Sequence, residues 1–276
     1  MRAGLLLIAS LVAVAIPQNR AIQVGYCTSL VNLAAAKSAG FDYVELSTTE
    51  ITALSDADFE LALRRIAEAG LPTPAANLFL PATLKVTGPD VNREQQTAYV
   101  RKAFERLSRI GTEVVVFGSG GARRVPDGFP KGEAFEQLVD FGRRIAPEAR
   151  SRGITVAVEP LRRAETNIIN SAAEGLTLVE AIHDPAFQLI DFFHLASEGE
   201  DPAIVERASS HIRHLHMANP NGRVFPLAWD EYPYSPFFAK LRSVGYAGRI
   251  SVEASSTDFV RDAPSAITLL RRAFEQ

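Results

Sequence analysis

The chain has 276 residues, 47% of them hydrophobic, a formal net charge of −3 and a single cysteine. That length can bury the core of one (β/α)8 barrel or of two smaller domains, and the acidic balance gives no general pull toward nucleic acid. With Cys27 as the lone thiol, an intrachain disulfide, a thiolate zinc cluster and a CxxC redox pair are excluded, so any metal must be held by oxygen and nitrogen.

Residues 1–20 differ from the rest. Met1 and Arg2 precede an uncharged run from Ala3 to Ile16, followed by Pro17 to Arg20, with Ala13, Ala15 and Ala21 as small residues suited to cleavage. This is the pattern of a signal peptide, and the run is too short for a permanent transmembrane helix. Export to the periplasm or medium is the expectation; an N-terminal extension on a cytoplasmic protein is the alternative. No stable membrane insertion is expected.

From residue 21 to 276 the sequence alternates regularly, without a linker or low-complexity stretch. Strands are expected near Ile22–Cys27, Tyr43–Leu46, Pro74–Leu78, Glu113–Phe117, Thr155–Val158, Gln188–Ile190, Ile212–His216 and Ile250–Val252. Between them lie helical patterns at Ser29–Ala39, Asp56–Ala69, Asn92–Ile110, Lys131–Arg152, Ala172–Ile182, Pro202–Ser210, Pro236–Val244 and Ala263–Phe274. Several of these stop at a glycine, as at Gly40 and Gly70. Eight strands alternating with eight helices favour a single parallel α/β barrel over a doubly wound open sheet.

The stretch Ile154–Glu165, ITVAVEPLRRAE, reads as a strand buried on both faces that ends in a carboxylate, Glu159. Asp191, His216 and Glu253 close the later strand patterns FQLID, IRHLH and RISVE. Successive gaps of 32, 25 and 37 residues each match about one strand, loop and helix unit. Parallel strands bring such ends to one face of the sheet, and a closed barrel makes them converge. A carboxylate at one strand end most often caps a helix or pairs with an arginine. Four in step with the repeat argue for a shared site.

Three carboxylates and one imidazole suit a hard or borderline divalent ion such as Mn²⁺, Mg²⁺ or Co²⁺, with Zn²⁺ admissible. Such an ion can take neighbouring carbonyl and hydroxyl oxygens of a sugar, acidify the adjacent C–H and stabilise the resulting enediolate. Two glutamates on opposite walls can then remove a proton from one face and return one to the other.

These residues resemble the sugar isomerase and epimerase family with a xylose-isomerase-like barrel, which includes tagatose and psicose 3-epimerases and hydroxypyruvate isomerase. The resemblance runs from about Ile22 to the C-terminus and is carried by VEPLRRAETN, LIDFFH, HLHMANPNGR and GRISVE. It implies that Glu159, Asp191, His216 and Glu253 are metal ligands, that Glu159 and Glu253 double as the acid–base pair, and that Glu165, His194 and Arg223 contact substrate. The run Met217 to Arg223 departs from the 3-epimerase pattern, which carries an acidic residue and a differently spaced arginine there. The implied substrate is therefore a ketose or keto-sugar derivative rather than one named sugar. A lyase of the inosose or keto-glycoside dehydratase type is the runner-up, with Glu165 or His194 as the acid that expels a hydroxyl. A non-catalytic sugar-binding barrel ranks third.

Several residues are weaker candidates. Glu45 and Asn77 fall near the ends of the second and third strands and are expected on the substrate side. His214 shares a face with His216 and is assigned a supporting or core position, while His183 and His211 read as ordinary surface residues. Arg123 and Arg124 make a basic spot beside glycines, without a phosphate-loop pattern. Phe225, Trp229, Tyr232 and Tyr234 suit a lid, a sugar-stacking surface or packing between the subunits of a homo-oligomer. No histidine precedes residue 183. The endonuclease-four type of apurinic endonuclease, which shares the barrel, takes additional zinc-binding histidines from its first half, so DNA is not expected as a partner.

Overall fold

The computed structural model describes residues 22–184, 186–188 and 190–275. The signal-peptide reading of residues 1–20 lies outside the described residues. Nine strand segments form one sheet: β1 (Gln23–Thr28), β2 (Tyr43–Ser47), β3 (Ala75–Asn77), β4 (Val114–Phe117), β5 (Thr155–Val158), β6 (Ala186–Gln188), β7 (Ile190–Asp191), β8 (Leu215–Met217) and β9 (Arg249–Val252). Their order is β6-β5-β4-β3-β2-β1-β9-β8-β7, and every ladder is parallel. The two ends of that order are one residue apart in the chain, so the sheet closes on itself as an eight-membered barrel whose sixth strand is split. Its first piece pairs with β5 and its second with β8.

The helices shield the outer face of the sheet. Apolar residues on that face, including Val44, Leu46, Val115, Phe117, Val156 and Val158, merge with helix residues such as Phe104, Leu138, Phe141 and Leu270 into one large buried cluster. A second cluster, Tyr43, Ala75, Val114, Val116 and Ala157, contains strand residues only and fills the barrel interior. This is the two-faced burial that a parallel sheet requires. Inside the barrel Gly25 makes room for the Tyr43 ring, which any Cβ at residue 25 would overlap.

Six helices begin and end within two residues of their expected bounds, among them Asp56–Ala69, Arg93–Arg109, Lys131–Ser151 and Ala172–Ile182. Gly70 ends the first of these at φ 58°, its N–H returned to the carbonyls of Ile66 and Ala67. The last helix starts at Phe259, four residues earlier than expected, because the Asp258 side chain accepts from Arg261 N–H and caps it there. Three short helices were not foreseen: Thr48–Ala53, Gly120–Arg123 and Phe192–Ser197. The first is capped by Ser47 and held by buried Arg106, whose guanidinium donates to the carbonyls of Ile51, Thr52 and Leu54. Among the described residues no helix is long and apolar enough to cross a membrane.

Candidate metal and sugar site

The four strand-end residues meet. One ligand atom each from Glu159, Asp191, His216 and Glu253 lie within 4.8 Å of one another. His216 Nδ1 is 3.3 Å from Glu159 Oε1, 3.4 Å from Glu253 Oε2 and 3.9 Å from Asp191 Oδ2. Glu159 and Glu253 each follow the last residue of a strand, yet their N–H groups still donate to Phe117 and Met217 carbonyls, so the sheet fixes both at its rim. Asp191 uses Oδ1 to cap the helix Phe192–Ser197, accepting from His194 N–H at 2.5 Å, which leaves Oδ2 for the cluster.

The electrostatics of the cluster fit a divalent cation. Burial raises the Asp191 carboxyl well above its ordinary pKa, and Glu159 and Glu253 beside it push the same way. Burial also raises Glu159, outweighing its bond to His216. Glu253 is the opposite case: burial raises it, but His216 and Arg223 bring it down to about 2. Crowded carboxylates with one imidazole are the donor set that a hard or borderline ion neutralises.

Substrate-side residues surround this centre. Arg223 donates to Glu253 Oε2 at 2.5 Å and Glu165 Oε1 at 3.2 Å, with its guanidinium 4.6 Å from the Phe193 ring centre. Arg162 also binds Glu165 and lies 4.8 Å from the same ring. Although its loop spacing departs from the 3-epimerase pattern, Arg223 reaches the cluster through a left-handed turn, with Gly222 at φ 92° and Arg223 at φ 51°. The backbone N–H of Arg162 donates to His194 Nδ1, so a neutral His194 carries its proton on Nε2. Burial and then Arg223 lower its pKa to about 3, which keeps it neutral. Its Nε2 is buried without a hydrogen-bond partner, 3.8 Å from Glu159 and 3.9 Å from Glu165. A buried donor left open in this way is suited to a substrate oxygen.

Asn77 donates to Glu253 Oε1 at 3.2 Å and lines a cavity of about 500 Å³ with Cys27, Ser47, Glu50, Leu78 and Arg223. Glu45, expected on the substrate side, is turned away from it. It is fully buried beneath the cluster, with Oε1 bonded to His216 and Oε2 to His214 and Ser251. Burial raises its pKa, but His216 and His214 hold it well below the usual carboxylate range. His214 is buried in support, and His183 is exposed.

Arg123 makes no surface anion spot: it is buried, 5.4 Å from the Phe117 ring centre, and donates to the Phe117 carbonyl. The aromatic loop does not form a lid. Tyr234 packs on Phe192 and Trp229, and Phe225 on Tyr26 and Phe259, while Trp229 also lines an outer groove with the C-terminal helix that contains no acid or imidazole. Sequence reasoning missed Phe193, Arg162, Ser47 and Leu78. Phe193 stood in the LIDFFH run, and the alternation of β2 pointed to Ser47; Leu78 lies in a loop at φ 47°, which no sequence signal marks.

The profile describing xylose isomerase-like TIM barrels matches residues 33–273. An L-ribulose 3-epimerase of Mesorhizobium japonicum is 26% identical over 243 residues, covering 87% of this chain and 80% of that protein. A D-psicose 3-epimerase of Ruminiclostridium cellulolyticum is 25% identical over 226 residues, covering 78% and 74%. Among solved structures, a D-allulose 3-epimerase from Methylomonas sp. superposes with a TM-score of 0.80 at 24% identity, covering 92% of this chain and 98% of that one.

Proposed function

The chain belongs to the xylose isomerase-like TIM-barrel family, and from that premise we propose that it is a divalent-metal-dependent 3-epimerase of a ketose. The coarser statement, a sugar epimerase of the isomerase class, follows from relatives that are named epimerases. The observation that carries the reading is the placement of Glu159 and Glu253, which come from β5 and β9 and approach the same His216 nitrogen at 3.3 and 3.4 Å.

Glu159, Asp191, His216 and Glu253 would hold the ion, with Mn²⁺, Mg²⁺ or Co²⁺ favoured by the oxygen-rich donor set. Once bound, the ion offsets the negative charge that develops on a substrate's adjacent oxygens as the neighbouring C–H loses its proton. Glu253, kept ionised, is placed to accept that proton at its carboxylate. Glu159, whose burial favours the protonated form, is placed to deliver one to the other face of the same carbon. After a turnover Glu253 carries the abstracted proton and Glu159 is ionised; exchange with solvent restores both before the next substrate, and in the reverse reaction the two exchange roles. His194 Nε2–H and the Arg223 guanidinium orient the sugar oxygens, while Asn77 fixes Glu253.

The test is to incubate the metal-loaded protein with a panel of ketoses in D₂O. One deuterium at C3 with inversion and no loss of water is expected. Glu159→Gln and Glu253→Gln should each lower turnover by at least about 100-fold, the lower range for acid–base groups, with little change in folding. Full activity in either variant, or release of water to a dicarbonyl product, would overturn the reading.

A further inference from the structure

We propose that Glu45 is the positioning residue that fixes the His216 ring with Nδ1 toward the carboxylate cluster. The inference rests on the reading of His216 as a metal ligand. His216 has two ring nitrogens in different surroundings. Nδ1 faces Glu159, Asp191 and Glu253, whereas Nε2 lies 2.9 Å from Glu45 Oε1. A carboxylate only accepts, so this bond holds a proton on Nε2, and it is Nδ1 that would offer its lone pair to a cation once any proton there is displaced.

Glu45 is itself immobilised. Its other oxygen is 2.7 Å from His214 Nε2 and accepts from Ser251 Oγ at 2.6 Å, and Ser251 is bonded in turn to the Tyr43 hydroxyl at 2.8 Å. The carboxylate, both imidazoles and Ser251 are fully buried. Burying an ionised carboxylate costs several kcal/mol unless all of its lone pairs are used. An apolar side chain would fill the same space at lower cost, so packing alone does not account for an acid here. The arrangement does account for it. Three strands, β2, β8 and β9, supply a rigid base that allows one tautomer and one ring orientation at the only nitrogen donor of the cluster.

The test uses the full chain and measures Mn²⁺ affinity by calorimetry beside histidine tautomers in the ¹⁵N-labelled, Mg²⁺-loaded protein. In the wild type the His216 proton is expected on Nε2. Glu45→Gln keeps an acceptor oxygen but loses the charge, and should weaken Mn²⁺ binding by about tenfold while retaining that tautomer. Glu45→Ala should weaken it by about 100-fold, the upper range for losing an outer partner of a ligating histidine. Asp191→Asn separates the two proposals, because Mn²⁺ binding that survives it overturns the ligand assignment and this inference with it. If Asp191→Asn abolishes binding, an affinity within twofold of wild type in folded Glu45→Gln, or a proton on Nδ1 of wild-type His216, overturns the role of Glu45 alone. Should Glu45→Ala not fold, the glutamine variant and the wild-type tautomer decide.

Discussion

Gly118 follows β4 and lies against the Glu159 carboxylate. A Cβ built on it overlaps Glu159 Oε2 and stands 3.2 Å from Cδ, while its backbone conformation is one that alanine adopts freely. Gly118→Ala therefore adds one methyl group without backbone strain, aimed at a proposed ligand and acid–base group. Restoring the 3.0 Å that real Cβ contacts keep requires Oε2 to move by about 1 Å. Glu159 is only 5% exposed, so the displaced carboxylate has no open solvent to enter and must shift within the cluster. A misplacement of about 1 Å at reacting groups costs on the order of 100-fold, equivalent to about 2.7 kcal/mol of transition-state stabilisation. The cost to folding should be near the lower end of overpacking, about 1 kcal/mol, because the atom in the way is the far end of a flexible side chain. Gly132→Ala is the control. It lies in the first turn of the helix Lys131–Ser151 with nothing within 4 Å of a Cβ. The assay is kcat/KM by deuterium exchange at C3, beside urea denaturation of both variants. A Gly118→Ala enzyme within threefold of wild type, or one that loses activity only because it unfolds, would refute the argument.

Three further outcomes are expected. Burial raises Asp191; burial lowers His216, but the neighbouring Glu45 more than reverses this and its pKa lies well above the ordinary value. A cation must displace those protons, so affinity rises with pH and calorimetry in buffers of different ionisation enthalpy shows net proton release; a buffer-independent heat would refute this. For the same reason the metal-free native state binds a proton at Asp191 more tightly than the unfolded chain does. Its stability should therefore fall as pH rises from about 4 through the raised Asp191 value, and saturating Mg²⁺ should flatten that slope in thermal melts. Arg223→Lys keeps the charge but loses the fork shared by Glu253 and Glu165 and the stacking on Phe193, so kcat/KM should drop on the order of tenfold, about 1.4 kcal/mol. An unchanged value would show that charge alone suffices.

The repeat length made the cluster legible because each strand, loop and helix unit returns the chain to the same rim, and Glu159 and Glu253 stand one residue past β5 and β9. The split sixth strand was not legible, since FQLID is too short to show where pairing passes from β5 to β8. Nor was the double use of Asp191 as cap and cluster member, which depends on the two oxygens pointing apart.

The misplacement of Glu45 has a simpler cause, a strand read one residue short. β2 runs on to Ser47, so Ser47 lines the cavity and Glu45, two residues back on the same face, falls one layer lower. The same step of two separates His216 from His214 and Glu253 from Ser251. Three rim positions thus stand over three residues that bond to one another, Glu45, His214 and Ser251, and Tyr43 lies a further step of two below Glu45. Strand alternation therefore fixes the supporting base together with the cluster, because a one-residue slip in β2, β8 or β9 would turn that strand's rim residue and its support away from the interior at once.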